Sequence, residues 1–150
     1  MVRLVFVRAV GSLMVVSALA LILATERVSR GDDGDTKAAA DIKVMQGEWV
    51  SKDDTGESTW TFKKDHLSLK TPSRAYECSI TLDPAAKPEK SVDFKALDDS
   101  PNAKGAMAQG IYKFEGETLL ICFNGPEGER PKEFKNDFPK ALLFELKKKK

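Results

Sequence analysis

Residues 76–83 read Tyr-Glu-Cys-Ser-Ile-Thr-Leu-Asp, and apolar and polar side chains alternate along them. Alternation with a period of two places the apolar side chains on one face of a β-strand and the polar ones on the other. The same pattern returns at Ser58, Trp60 and Phe62, and again at Val92, Phe94 and Ala96. These stretches predict strands that share one apolar layer.

Shorter runs predict the other strands, with turn-forming residues between them. Glu115-Gly116 separates residues 112–114 from residues 118–123 and predicts a tight hairpin, because glycine supplies the positive φ that such a turn needs. Residues 119–123 are apolar on both faces, which predicts a more enclosed strand. About eight short strands with short links favour an all-β antiparallel barrel, since closure removes exposed edges. A two-sheet sandwich is the alternative.

One short helix is predicted before the first strand. Ile42 and Met45 lie three residues apart within residues 37–46, on one helical face, and Gly47 follows where a helix stop is expected. These patterns predict an antiparallel barrel of about eight strands with a short N-terminal helix.

The first 24 residues differ in composition from the rest. They contain Arg3 and Arg8 and no acidic residue, and residues 9–24 are sixteen consecutive uncharged, mostly apolar residues. A positive start followed by such a run is typical of a secretory signal peptide, and an uncleaved anchor is the alternative. The sequence thus predicts an exported protein, periplasmic or extracellular, that contacts a membrane only through residues 1–24 if they are uncleaved.

Three parts of the chain follow from these patterns. Residues 1–24 form the signal peptide or anchor, residues 25–36 read as a flexible spacer, and residues 37–150 form the barrel domain. The domain ends in a basic tail, residues 147–150, which the sequence presents as a solvated tail.

Composition argues against most catalytic and nucleic-acid-binding classes. The chain of 150 residues has a net charge of +1, which becomes −1 when Arg3 and Arg8 leave with residues 1–24. This balance speaks against a protein that binds nucleic acid by neutralising phosphates. His66 is the sole histidine, and Cys78 and Cys122 are the only cysteines, too few for the usual zinc sites. No catalytic residue, metal or cofactor is expected, and the predicted protein is not an enzyme.

Individual reactive side chains are interpreted as structural. His66 is expected to be a solvated turn residue, and the acidic pairs Asp53-Asp54 and Asp98-Asp99 lack the spacing of a calcium loop. Cys78 and Cys122 fall on the predicted fourth and seventh strands, which are not neighbours in an up-and-down barrel. A disulfide and two buried free thiols are both open at this point.

A set of ordered motifs spans roughly residues 41–147. The set begins with a short helix, Met45-Gln46 and Gly47-Glu48-Trp49, and it continues with Leu82-Asp83-Pro84, Lys87-Pro88, Val92-Asp93, Gly110-Ile111-Tyr112, Gly116-Glu117-Thr118-Leu119, Ile121-Cys122-Phe123 and Arg130-Pro131. It resembles a secreted lipocalin-like domain family of unknown function that is abundant in planctomycete bacteria. The resemblance implies an all-β fold, an eight-stranded antiparallel lipocalin-like barrel with a short N-terminal helix, in an exported protein, but it implies no activity.

The resemblance also gives structural roles to three residues. Lipocalins open their first strand with Gly-x-Trp, which here is Gly47 and Trp49, and an arginine late in the chain packs over that tryptophan. Arg130 is the best-placed arginine, so the resemblance implies a Trp49–Arg130 contact.

Aromatic side chains on the predicted dry face are the candidate binding residues. The expected function is non-enzymatic binding of a small apolar or amphipathic ligand inside the barrel, with Arg74 and Tyr76 near its mouth. The alternative is a structural or protein-interaction domain with a filled barrel, no ligand and working surface loops such as residues 124–131; the partner is unknown. The candidate lining residues are Trp60, Phe62, Arg74, Tyr76, Phe94 and Tyr112.

Overall fold

The computed structural model describes residues 32–125 and 128–150. Eight strands follow one helix, each strand pairs antiparallel with the next, and the last pairs with the first to close a barrel. The predicted fold is confirmed, and the two-sheet sandwich is excluded by the closure. The elements are α1 (Asp32–Met45), β1 (Gly47–Asp53), β2 (Gly56–Lys63), β3 (His66–Lys70), β4 (Ala75–Asp83), β5 (Ser91–Ala96), β6 (Met107–Glu115), β7 (Thr118–Asn124) and β8 (Ala141–Lys148).

The helix begins earlier than its sequence pattern predicts. It starts at Asp32, inside the segment 25–36 that was expected to be a spacer, so that expectation is wrong for residues 32–36. Asp35 near the start of the helix favours it because a negative charge interacts with the positive end of the helix, and Ala38, Ala39 and Ala40 have high helix propensity. Residues 1–31, which include the predicted signal peptide or anchor and the rest of the spacer, lie outside the described residues. No helix in the described part is long and apolar enough to cross a membrane.

The barrel has two different ends. At the helix end, α1 packs its buried Met45 and partly buried Ile42 against the barrel core. At the opposite end, called the loop end, lie the turns after β1, β3, β5 and β7. Alternate strand residues point into the barrel as the period of two predicts, and the inward-facing Leu119 and Ile121 of β7 are fully buried.

Strands β1 and β8 close the barrel over a short distance. They pair at Trp49↔Lys148 and Val50↔Lys147, and the amide of Lys149 donates to the Glu48 carbonyl oxygen at 2.9 Å. In the described chain, β8 pairs with β7 over its whole length from Ala141 to Lys147, but with β1 only near the helix end. The two closing strands are therefore joined at the helix end and unpaired toward the loop end.

The connection between β7 and β8 packs on the outside of the barrel. Its described part, residues 128–140, is called the strap. The strap covers Ile111 and Cys122, which point outward yet are 2% and 0% exposed. The expectation of an enclosed β7 is confirmed, and the strap explains why its outer face carries apolar residues.

Candidate functional site

The interior of the barrel is filled by side chains. Trp60 contacts Phe144 at a ring-centroid distance of 5.2 Å and Phe123 at 6.4 Å, and Phe94 contacts Phe123 at 5.7 Å. Rings from four strands, β2, β5, β7 and β8, thus meet across the lumen in edge-to-face or stacked pairs, the arrangement that aromatic quadrupoles favour. An eight-stranded barrel is narrow enough for side chains to fill it, and this one uses aromatic rings to do so.

Two serines lie on the inner wall beside these rings. Ser51 and Ser58 face each other across the β1–β2 ladder and are 4% and 3% exposed. The indole Nε1 of Trp60 donates to the Ser51 Oγ at 2.9 Å, which satisfies a buried donor that otherwise costs stability. The polar wall therefore holds Trp60 in one orientation.

The six predicted lining residues are spread along the whole barrel. Phe62 and Tyr112 lie in the core toward the helix end, where Phe62 pairs with Gly47. Trp60 and Phe94 belong to the central layer, and these four side chains are at most 6% exposed. Tyr76 is partly buried near the loop end, and Arg74 is exposed in the turn before β4. The structure therefore brings only Tyr76 and Arg74 together at a mouth.

A group of partly exposed apolar side chains surrounds the lumen at the loop end. These five side chains pack against the buried core but keep part of their surface in water, and we call them the rim: Leu69, Tyr76, Ala108, Phe123 and Phe144. The rings of Phe123 and Phe144 stack with centroids 5.2 Å apart and planes 11° apart. Phe144 lies on the part of β8 that has no ladder with β1. The rim is a shallow apolar surface over a filled core.

Arg74 stands beside the rim in a well-defined turn. The Thr71 amide and hydroxyl both donate to the Arg74 carbonyl oxygen, and the Arg74 amide donates to the Thr71 Oγ1. These bonds fix the backbone before β4, while the Arg74 side chain is exposed. Arg74 lies two residues before Tyr76 at the loop end, and an exposed guanidinium suits contact with an anionic group.

The helix end is sealed by a charged network. The Tyr112 hydroxyl and the Lys90 Nζ both donate to the Asp41 Oδ2, at 2.7 Å and 2.8 Å. Burial, followed by the hydrogen bond and negative charge of Asp41, raises the pKa of Tyr112 far above its ordinary range. Tyr112 therefore stays protonated and ties α1 to the barrel wall instead of presenting a polar group to a ligand.

Gly47 and Trp49 occupy the junction between α1 and β1. Gly47 has a φ of 109°, which favours glycine, and the Trp49 Nε1 donates to the Met45 carbonyl oxygen at 2.7 Å. The cation over the Trp49 ring is the Lys148 Nζ, at 5.4 Å from the ring centroid. Gly47 and Trp49 thus link the helix to the barrel, and their cation partner comes from the last strand.

Arg130 does not contact Trp49, so the implied Trp49–Arg130 pair is wrong. Its Nη1 donates to the Gly110 carbonyl oxygen at 2.8 Å, and its Nη2 donates to the Asp93 Oδ1 at 2.7 Å. Both partners belong to β5 and β6, across the barrel from β1. The reason is topological: Arg130 precedes β8 on the strap, whereas Lys148 lies within β8 opposite Trp49.

The two cysteines are free and separated by the barrel wall. Cys78 points into the core, while Cys122 lies on the outer face under the strap and donates to the Lys135 carbonyl oxygen at 3.4 Å. The disulfide alternative is therefore excluded in this structure. Burial raises the pKa of both thiols, which disfavours the reactive thiolate.

His66 is hydrogen-bonded within the sheet, so the expectation of a solvated turn residue is wrong. It begins β3, and its Nε2 is hydrogen-bonded to a Glu77 carboxylate oxygen, while the Ser68 hydroxyl donates to the other at 2.8 Å. Burial raises the pKa of Glu77, but the bonds from His66 and Ser68 outweigh it and the net shift is downward. The carboxylate stands between the histidine and the serine, so the Ser68 hydroxyl is hydrogen-bonded to Glu77 and not to His66.

Two concavities lie on the outside of the barrel and flank the strap. One of about 380 Å³ is lined mainly by strap residues, and one of about 350 Å³ lies between the strap and the β4–β5 turn. Both are lined by acidic and basic side chains together. In the first these are Glu129, Lys132, Asp137 and Lys140. Among the described residues, no group of three or more His, Cys, Asp or Glu side chains is placed to hold a metal ion.

Several rim and wall residues escaped the sequence analysis. Leu69 and Ser51 lie two residues after the inward-facing Leu67 and Trp49. The period of two therefore predicts that they also face inward. Phe123 was harder to assign because β7 is apolar on both faces, and only the strap distinguishes its inner from its outer residues.

Comparisons with protein-family models, with curated proteins and with solved structures give no match for this chain.

Proposed function

We propose that this chain is an exported, non-enzymatic lipocalin-like module that binds a small amphipathic ligand at the rim. The observation that carries the proposal is the stacked, partly exposed pair Phe123–Phe144, with Tyr76 and Leu69 across the mouth. Exposed aromatic surface that packs on a rigid core binds apolar groups at little entropic cost. The filled lumen limits the ligand to a shallow position.

The charge next to the rim specifies the second part of the ligand. Arg74 is exposed beside Tyr76, and its side chain makes no hydrogen bond or salt bridge with another described residue. A guanidinium in this state offers a fork of donors to a carboxylate, sulfonate or phosphate. The proposed ligand class is therefore an apolar ring or short chain that ends in an anionic group.

Fluorescent probes test both parts of the proposal. Anilinonaphthalene sulfonate, which combines aromatic rings with an anion, should bind the chain, and Phe144→Leu should weaken that binding. Arg74→Gln should weaken sulfonate binding about two- to fivefold, the range of an exposed ion pair, and leave binding of neutral phenylnaphthylamine unchanged. Lys95→Gln, an exposed cation on the outer wall, is the matched control. Equal binding by parent and Phe144→Leu would refute the rim site.

A second candidate is a protein-interaction domain with no small ligand. The filled interior favours it, because the fifteen residues of the central cluster are at most 9% exposed. Phe138 on the strap, 75% exposed, is an apolar contact on the surface. Native mass spectrometry of protein from its own host separates the two candidates. A copurified small molecule supports the rim site, while a clean apo mass with no probe uptake supports the interaction domain.

Export and family membership rest on the sequence patterns described above. The apolar run in residues 1–24 supports export, and the ordered motifs across residues 41–147 support membership of the lipocalin-like family. N-terminal sequencing of the protein from its host tests export: a start within the region 21–26 supports a cleaved signal, and an intact Met1 in a membrane fraction supports an anchor.

A further inference from the structure

Exposed lysines from three distant parts of the sequence lie together at the helix end. They come from the last turn of α1, from the β2–β3 turn and from the C-terminus. We call them the lysine patch: Lys43, Lys63, Lys64, Lys147, Lys148, Lys149 and Lys150. Every one of them is exposed.

Direct contacts hold these three segments against one another. The Lys64 amide donates to the Gln46 Oε1, and the Gln46 Nε2 donates back to the Lys64 carbonyl oxygen at 3.1 Å. A Cβ at Gly47 would lie 3.5 Å from the Lys148 Cε, and Lys149 forms a salt bridge with Glu48. Residues 46–48 therefore gather the patch around the start of β1.

The patch carries excess positive charge. Its salt bridges with described residues are those of Lys149 with Glu48 and of Lys147 with Glu145, the latter at 3.8 Å. The other five lysines form none with the described residues, and Lys148 instead lies over the Trp49 ring. Further carboxylates beside these segments are Asp65 in the β2–β3 turn and Glu117, which precedes the Thr118 that pairs with Lys147. The seven lysines outnumber these two and the two salt-bridged glutamates. The charge is thus locally unbalanced, although the chain as a whole is close to neutral.

We propose that the lysine patch docks the helix end of the barrel on an anionic lipid surface. Lysines are flexible point charges on long stems, which suit a field of dispersed phosphates better than one forked oxyanion. Val44 is 52% exposed next to Lys43 and adds an apolar side chain at the same place. Near an anionic bilayer each such lysine strengthens binding about fivefold, and salt screens the effect.

The order of the chain favours a membrane over other polyanions. The apolar run 9–24 ends seven residues before α1, and seven extended residues reach about 25 Å at most. Since α1 packs on the helix end, contact of that run with a bilayer would bring the patch close to lipid headgroups. The patch then orients the barrel with its rim away from the surface.

Vesicle cosedimentation of the full chain tests the proposal. The chain should bind vesicles with 30% phosphatidylglycerol in phosphatidylcholine at least about tenfold more tightly than pure phosphatidylcholine vesicles, at about 0.05 M salt. The difference should largely vanish at about 1 M salt. Neutral vesicles measure any insertion of residues 1–24, so the excess on anionic vesicles reports the patch.

Two quadruple variants with equal charge loss complete the test. One carries Lys43→Gln, Lys63→Gln, Lys64→Gln and Lys150→Gln, and should lose the excess binding. The control carries Lys52→Gln, Lys70→Gln, Lys95→Gln and Lys104→Gln, outside the patch, and should lose at most about threefold. Circular dichroism confirms that both are folded. Equal losses in the two variants would overturn the proposal, as would patch-dependent binding of a DNA duplex without preference for anionic vesicles.

Discussion

Asp41 shows how a single carboxylate can seal one end of a barrel. It comes from α1, yet it accepts hydrogen bonds from Tyr112 on β6 and from Lys90 in the β4–β5 turn. Since the side chains of Asp41 and Lys90 are 16% and 43% exposed, the tyrosine bond is the better shielded of the two. Local sequence patterns do not predict this network, because its members are 49 and 71 residues apart.

The raised pKa of Tyr112 predicts a loss of stability at high pH. The folded protein keeps a phenolic proton that the unfolded chain releases near the ordinary value of 10, so this contribution is complete below that pH and declines above it. The free energy of unfolding should therefore fall more steeply between about pH 9 and 11 in the parent than in Tyr112→Phe. Urea unfolding at several pH values measures both slopes.

Tyr76→Phe is the matched control for that experiment. It removes the phenol of the rim tyrosine and leaves the Asp41 network in place, so it should keep the steep slope of the parent. If Tyr112→Phe and the parent have the same slope, the proton held at Tyr112 does not contribute to folding.

Polar contacts from β5, β6 and β7 hold the strap to the barrel, among them the Asn124 Nδ2, which donates to the Gly128 carbonyl oxygen at 2.6 Å. Arg130 bridges to Asp93 and to the Gly110 carbonyl oxygen, and Cys122 donates to Lys135 from beneath. The side chains of Arg130 and Asp93 are 31% and 32% exposed, so their ion pair is only partly shielded from water. Because the strap covers one face of an already closed barrel, it is able to open without unfolding the barrel.

Replacing Arg130 should release the strap and expose a thiol. In Arg130→Gln, we expect Cys122 to be alkylated by iodoacetamide at least about tenfold faster under native conditions, while Cys78 in the core stays protected. Peptide mass spectrometry reports the two sites separately. Lys132→Gln, an exposed strap residue, should label like the parent. Faster labelling of both cysteines together would mean that Arg130 stabilises the barrel as a unit and not the strap.

The barrel as a complete body depends on its filled interior. Inward residues of all eight strands meet in one hydrophobic cluster. The side chains of this cluster occupy the space in which a ligand cavity was expected. Such close packing makes each central side chain sensitive to truncation, since a cavity left behind only partly collapses. The same packing gives the rim a rigid base.

Truncation of a central leucine should destabilise the protein strongly. Leu119 is fully buried on β7, and Leu119→Ala should lower the free energy of unfolding by about 2–5 kcal/mol. Met107→Ala, at a position on β6 that is 60% exposed, should cost about 1 kcal/mol or less. Equilibrium urea unfolding gives both values. Similar losses at the two positions would contradict a core that lies inside the barrel.

The candidate site was only partly within reach of sequence reasoning. Tyr76 and Arg74 were expected at a mouth and lie there, because both follow from their position at the start of a strand. The other four lining residues were correctly placed on the inner face, but a period of two does not tell a lined cavity from a filled core. That outcome depends on the sizes of side chains that meet from opposite walls, as Trp60 and Phe144 do.

Alternation, short apolar runs and glycine positions were sufficient to predict about eight antiparallel strands, the hairpin at Gly116 and the helix stop at Gly47. These features are local, since backbone sterics and side-chain period act over a few residues. The cation partner of Trp49, the buried outer face of Cys122 and the lysine patch join residues that are far apart in the chain. They became fixed only when the barrel closed, because closure sets which strands meet and which segments share an end.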